Sequence, residues 1–102
     1  MTETNSTKKY IIRTYSAGVW YGNIKQLEKG ECILQNARRI WYWSGAASLS
    51  ELAVYGTKSP SNCKFCVTIK DEGGIYLPNV IEVLPVTKEA QANIDNVPEW
   101  RA

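Results

Sequence analysis

The sequence predicts an α+β fold: an antiparallel sheet of four to five strands, one helix after strand three and a C-terminal helix. Three observations carry this reading. Residues 9–43 interleave β-branched and aromatic side chains with polar ones in three runs separated by turns, the pattern of a meander. From Ser44 the apolar period lengthens from two residues to about 3.6. A second pattern of helical period, Thr87–Val97, is stopped by Pro98. At 102 residues the chain has room for a single domain, assigned to residues 9–102 behind a flexible polar N-terminus of residues 1–8.

Lys9–Ser16 (KYIIRTYS) reads as the first strand, because such side chains suit a pleated, half-buried surface. Ala17-Gly18 supplies the reversal, since glycine takes the positive φ that a tight turn needs. Val19–Leu27 is the second strand, interrupted at Gly22-Asn23 by a bulge or a second bend. Residues 28–31 connect it to Cys32–Trp43 (CILQNARRIWYW), the longest strand candidate. In Ser44–Tyr55, Leu49, Leu52 and Ala53 fall at helical spacing. Ser48 and Glu51 have capping-box spacing, Gly56 stands where a glycine ends a helix, and Ser44 is a competing N-cap one turn earlier. After a loop at residues 57–62, Lys64–Lys70 alternates as a strand and Asp71–Gly74 turns it. Ile75–Leu84 holds one or two short strands broken at Pro78, which fits only an edge or a bulge. Thr87–Val97 places Ala90, Ile94 and Val97 on one helical face. Helices gathered on one face of such a sheet leave the other free, and function is expected there.

Composition narrows the chemistry. The chain has no histidine, which removes the commonest general base, the Ser-His and Cys-His pairs and most zinc sites. Cys63 and Cys66 have C-x-x-C spacing, but Cys32 is the only other thiol, so a metal site is not expected and the three read as reduced cysteines. No enzyme activity and no cofactor are predicted. No apolar run reaches the ~18 residues of a membrane span, and Met1–Lys9 lacks the apolar centre of a signal peptide, so an intracellular protein is expected. The net charge of +2 hides an asymmetry: residues 1–70 carry +6 and residues 71–102 carry −4. A basic, aromatic front suits an anionic ligand, although charge alone equally describes an ordinary surface patch.

Strict alternation along the third strand puts Cys32, Leu34, Ile40 and Tyr42 on one face and Ile33, Gln35, Arg39, Trp41 and Trp43 on the other. The first set suits a core. The second joins a guanidinium to two indoles, which can stack a base and meet a phosphate, although a tryptophan taken singly is as well placed in a core. Seven of the eleven aromatic residues lie between Tyr10 and Trp43, which favours the ligand reading. Ser44, Gly45 and Ser48 belong to a small-residue turn opening a helix, where backbone N–H groups and hydroxyls can hold a phosphate beside Arg38 or Arg39. The P-loop pattern is missing, and every helix needs an N-cap, so the turn alone marks no site. Arg13, Tyr15, Ser16, Ala17, Gly18 and Trp20 repeat the theme around the first turn. Arg39, on Trp41's side, is the expected phosphate donor, and Arg38 is left to a neighbouring subunit or a structural ion pair.

Arg13–Val19, Asn36–Ser50, Asn62–Phe65 and Val97–Trp100 resemble a family of small tailed-phage proteins that long carried a domain-of-unknown-function label. The likeness runs in order over about residues 10–100 and departs at residues 19–30, where Trp20 and Tyr21 fall in a stretch less aromatic in the family. It implies an anti-CBASS sponge: a protein that binds a cyclic dinucleotide such as 3′,3′-cGAMP without cleaving it, in the cytoplasm of the infected bacterial host. Such sponges are oligomers, and a tetramer or dimer of dimers is expected because Trp20, Tyr21 and Trp100 exceed what one small core absorbs. The alternatives are a phage protein that binds single-stranded nucleic acid, with Trp41 and Trp43 stacking successive bases, and an inhibitor of a host protein.

Overall fold

The computed structural model describes residues 8–101. The elements are β1 (Tyr10–Thr14), β2 (Val19–Glu28), β3 (Glu31–Tyr42), α1 (Leu49–Tyr55), a 3₁₀ turn (Pro60–Asn62), β4 (Lys64–Phe65), β5 (Ile75–Leu77), β6 (Val80–Pro85) and α2 (Lys88–Asp95). The expected α+β architecture is present, with an antiparallel six-stranded sheet in the order β4-β3-β2-β1-β6 and β5 also paired to β3. The N-terminal segment expected to be flexible lies outside the described residues except for Lys8, whose carbonyl accepts a hydrogen bond from Asn23.

Local chemistry explains most element ends. The β2–β3 hairpin turns through Lys29 and Gly30, both at positive φ (52° and 77°), the geometry of a two-residue turn between twisted strands. Ser48 caps α1 by accepting the Glu51 N–H at 3.1 Å, which decides the start in favour of Ser48 over Ser44. Gly56 ends it at φ 79°. Thr87 caps α2 in the same way through the Ala90 N–H, and Ala90, Ile94 and Val97 are buried as one face. The strand expected over Lys64–Lys70 is only two residues long, after which the chain stays on β3 through the Cys66 N–H bond to the Arg39 carbonyl at 2.9 Å and a bridge between Ala37 and Ile69.

Two departures decide where the site can be. First, β3 does not alternate throughout. Opposite β2, the register passes from Tyr21↔Arg38 to Asn23↔Gln35, so β3 carries one extra residue there. Asn36 absorbs it at φ 52°, a conformation asparagine tolerates, and its side-chain amide donates to Asn23 Oδ1 at 2.8 Å. Gly22 is opposite, where a Cβ would lie 2.7 Å from the Gln35 carbonyl. The bulge flips the faces, so Cys32 and Leu34 share their side with Ala37 rather than with Ile40.

Second, the sheet curls. β5 lies on the β3 edge and β6 on the β1 edge, yet Pro78 and Asn79 alone join them. A flat sheet would hold those edges about 19 Å apart, whereas Leu77 to Val80 spans at most ~11 Å. Curvature closes the gap, and Val80 N–H donates to the Gly30 carbonyl at 2.8 Å. The side away from the helices is therefore not free. It encloses a second apolar cluster of Ile12, Cys32, Leu34, Ala37 and Leu77, flanked by Trp20, Ile24 and Val83. The larger cluster packs Ile11, Tyr21, Ile40 and Phe65 against both helices.

Candidate functional site

Across the upper sheet, Val83, Ile12, Trp20 and Arg39 are successive cross-strand neighbours on β6, β1, β2 and β3. Val83, Ile12 and Trp20 belong to the cluster away from the helices, and strand geometry puts Arg39 in the same row. The β1–β2 turn folds over this row. Ala17 N–H donates to Thr14 Oγ1 at 2.7 Å, Thr14 N–H donates to the Gly18 carbonyl at 3.1 Å, and Gly18 reverses the chain at φ 93°. The Ala17 carbonyl, thrown inward, accepts from Trp20 Nε1 at 2.9 Å and from Arg39 Nη2 at 3.2 Å.

Arg39 is half-buried, and its Cζ lies 5.1 Å from the Trp20 ring centre and 5.6 Å from that of Trp41. A guanidinium at such distances gains from the ring quadrupoles and orders both indoles. Trp41 is still 60% exposed, a surplus of open aromatic surface beside a fixed cation, and Tyr15 in the first turn is 80% exposed. Tyr15, Ser16, Ala17, Gly18, Trp20, Arg39 and Trp41 thus gather at one end of the sheet around the first turn.

Other predicted residues lie elsewhere. Arg38 is buried on the helix side, where its guanidinium donates to the carbonyls of Cys66 (2.8 Å), Ile94 (2.9 Å), Phe65 and Val97. Burial there pulls its pKa below the usual guanidinium value. It is an internal clamp and offers no grip to a ligand. Arg13 shares the helix-side row of Val19 and Ile40 and pairs with Glu82 at 3.0 Å on the surface. Trp43 packs against the helix-side core, not beside Trp41, because β3 has ended at Tyr42.

The Ser44–Ser48 turn is closed on itself. Thr57 Oγ1 donates to the Ser44 carbonyl, Lys58 N–H donates to the Gly45 carbonyl at 3.1 Å, and Glu51 accepts the Ala47 N–H. A Cβ at Gly45 would stand 2.5 Å from Ser59 N, so glycine serves the loop's approach here and not a phosphate's. The Glu51 carboxylate occupies the helix-start position where an anion was expected, and like charge would oppose one.

The structure also opens clefts that linear reading missed. Tyr15, Lys29, Gly30, Glu31, Asn79 and Ile81 line one of about 520 Å³ at the β2–β3 tip. Tyr76, Gln26 and Glu28 line a neighbouring one of about 270 Å³. Residues far apart in sequence meet here because the sheet curls, and no local motif signals that. Desolvation, and after it the hydrogen bond and charge of Glu31, raise the Tyr76 phenol pKa. Among the described residues no three Cys, Asp or Glu side chains gather as a metal would need, and no helix is long and apolar enough to cross a membrane.

The three aromatics from which an oligomer was expected differ in burial. Tyr21 is buried with its hydroxyl donating to Asp95 at 2.7 Å, while Trp20 and Trp100 are half-buried, the latter beneath Lys64 Nζ at 5.3 Å. Residues 7–94 match a family model described as Domain of unknown function (DUF6948). No curated protein and no solved structure matches the chain.

Proposed function

From the premise that the chain belongs to the DUF6948 family, we propose that it binds and sequesters a cyclic dinucleotide of the 3′,3′-cGAMP type without cleaving it. The observation that supports this most is the stack of Trp20, Arg39 and Trp41 beneath the first turn, with Trp41 open to solvent. A nucleobase needs an aromatic face and its phosphate needs positive charge nearby; this end of the sheet supplies both. Sequestration without reaction fits a chain lacking histidine, in which the side chains at this end are aromatic, guanidinium and hydroxyl groups. The likeness to phage sponges supplies the ligand class, the setting in an infected bacterium and the function of starving a CBASS effector. Oligomerisation belongs to the same proposal, with a two-phosphate ligand held between copies around a two-fold axis.

The single-stranded nucleic-acid reading is weaker, because it needs Trp41 and Trp43 on one track and Trp43 packs against the other core. Calorimetry with 3′,3′-cGAMP tests the proposal. The parent should bind, and Trp41→Ala should weaken binding by roughly 1–3 kcal/mol, the worth of one base stack. Its fold should remain intact by circular dichroism. Denaturing the complex and chromatographing the supernatant should return intact ligand; steady loss of ligand would make the protein an enzyme. Steep salt dependence on an oligonucleotide, with no response to the dinucleotide, would favour the polymer reading.

A further inference from the structure

We infer that Arg39 is a positioning residue, a bridge that fixes Trp41 and the first turn as one platform, rather than the phosphate-gripping fork. The inference rests on the nucleotide reading for its ligand only; the geometry stands by itself. One guanidinium meets three elements: the Trp20 indole on β2, the Trp41 indole two residues further along β3, and the Ala17 carbonyl in the turn. Gly18 is the seat. A Cβ there would lie 2.6 Å from Arg39 Nη2 and 3.0 Å from Nε, so that edge of the guanidinium rests against glycine backbone. The Nε/Nη2 edge is one of the forks on which a phosphate is held bidentately, and here the turn covers it.

Two consequences follow for a ligand. With the guanidinium beside Trp41 on the protein side, a base can stack only on the indole face turned to solvent. The adjacent positive charge also draws on the ring's π density, which favours a neutral, electron-rich purine on that face over a cationic ligand. Lysine cannot substitute, because a compact ammonium lacks the spread of a guanidinium that meets two rings while donating to a fixed carbonyl.

The test compares Arg39→Lys, Arg39→Gln and the parent in two measurements. In calorimetry with 3′,3′-cGAMP, both variants should bind about tenfold more weakly, the scale of one lost ring–cation contact. In the ligand-free protein, both should show faster amide hydrogen exchange at Ala17 and greater acrylamide quenching of the emission that Trp41→Phe removes, with a lowered denaturation midpoint but an intact fold by circular dichroism. Parent-like affinity in Arg39→Lys would overturn the inference, because charge alone would then suffice. Unchanged exchange and quenching in both variants would overturn it as well. If the parent ignores 3′,3′-cGAMP, the nucleotide reading falls, while exchange and quenching still decide whether Arg39 positions the platform.

Discussion

Arg38 and Arg39 are consecutive residues of one strand, and the sheet sends them to opposite sides. Arg38 enters the helix-side interior, where four backbone carbonyls surround its guanidinium, two of them from Ile94 and Val97 at the end of α2. The end of a helix leaves carbonyls unpaired and slightly negative, so a buried cation there satisfies groups that would otherwise cost stability. Arg39 instead lies between two indoles with one hydrogen bond to the chain. The difference teaches that a strand's period of two assigns roles more sharply than residue type. One guanidinium is enclosed by structure; its neighbour remains at the solvent boundary, where a ligand can use what it orders.

Removing the enclosed arginine should give the largest effect. Arg38→Met fills the space but leaves the Cys66 and Val97 carbonyls without this donor, while those of Ile94 and Phe65 keep the Val97 and Trp100 N–H groups. A buried acceptor left unsatisfied typically costs about 1–3 kcal/mol. Urea denaturation of Arg38→Met should show a loss of that size, and the folded fraction should bind ligand as the parent does. A loss below ~1 kcal/mol would mean the carbonyls find water or new partners, and the contrast between the arginines would collapse.

Alkaline pH sharpens the comparison at the level of the two cores, with a smaller effect. On the helix side, burial and then the hydrogen bond to Asp95 raise the Tyr21 phenol pKa. On the opposite side, burial pushes the Cys32 thiol from 9.0 up to about 11. Both groups ionise more readily in the unfolded chain, so the folded state holds more protons and stability falls as pH rises. The thiol contributes its loss between pH 9.0 and about 11, and the phenol begins above its ordinary value of 10.0. Each can add a slope of up to ~1.4 kcal/mol per pH unit. Cys32→Ala should flatten the earlier part of the decline and leave the later part; an identical profile would show that the thiol does not report the second core.

The elements were largely legible because their signals are local. The Lys29-Gly30 turn, the Ser48–Glu51 spacing, Gly56 and Thr87 act within a few residues, and the structure uses each as local chemistry dictates, although α2 ends at Asp95, ahead of the Pro98 expected to stop it. Faces and closure were not. A single extra residue at Asn36 flips half of β3, and the sequence hinted at it only through Gly22-Asn23 on the facing strand and an asparagine that tolerates positive φ. The curl is a long-range constraint set by the two-residue link after β5, so the second core and the clefts at the hairpin tip had no local signature. Of the candidate site, Tyr15–Gly18, Trp20, Arg39 and Trp41 come together because hairpin register is strongly specified. Trp43 leaves the group because it lies past the strand's end, where alternation no longer holds.

Arg13 offers the smallest and most diagnostic change. It belongs to the helix-side row of Val19 and Ile40, yet its own side chain is solvent-exposed and paired with Glu82. Exposed pairs of this kind are worth ~0–1 kcal/mol, because water screens the charges and both long side chains lose rotamer freedom. Arg13→Ala should therefore shift the urea midpoint only slightly, and calorimetry should find 3′,3′-cGAMP bound as by the parent. The sequence placed Arg13 among the ligand's phosphate contacts, whereas the sheet puts it across from Arg39. A loss of affinity as large as that of Trp41→Ala would mean that a ligand, or a second copy of the chain, reaches around the sheet edge and joins its two faces. The separation drawn between Arg38's side and Arg39's would then describe the isolated fold but not the bound state.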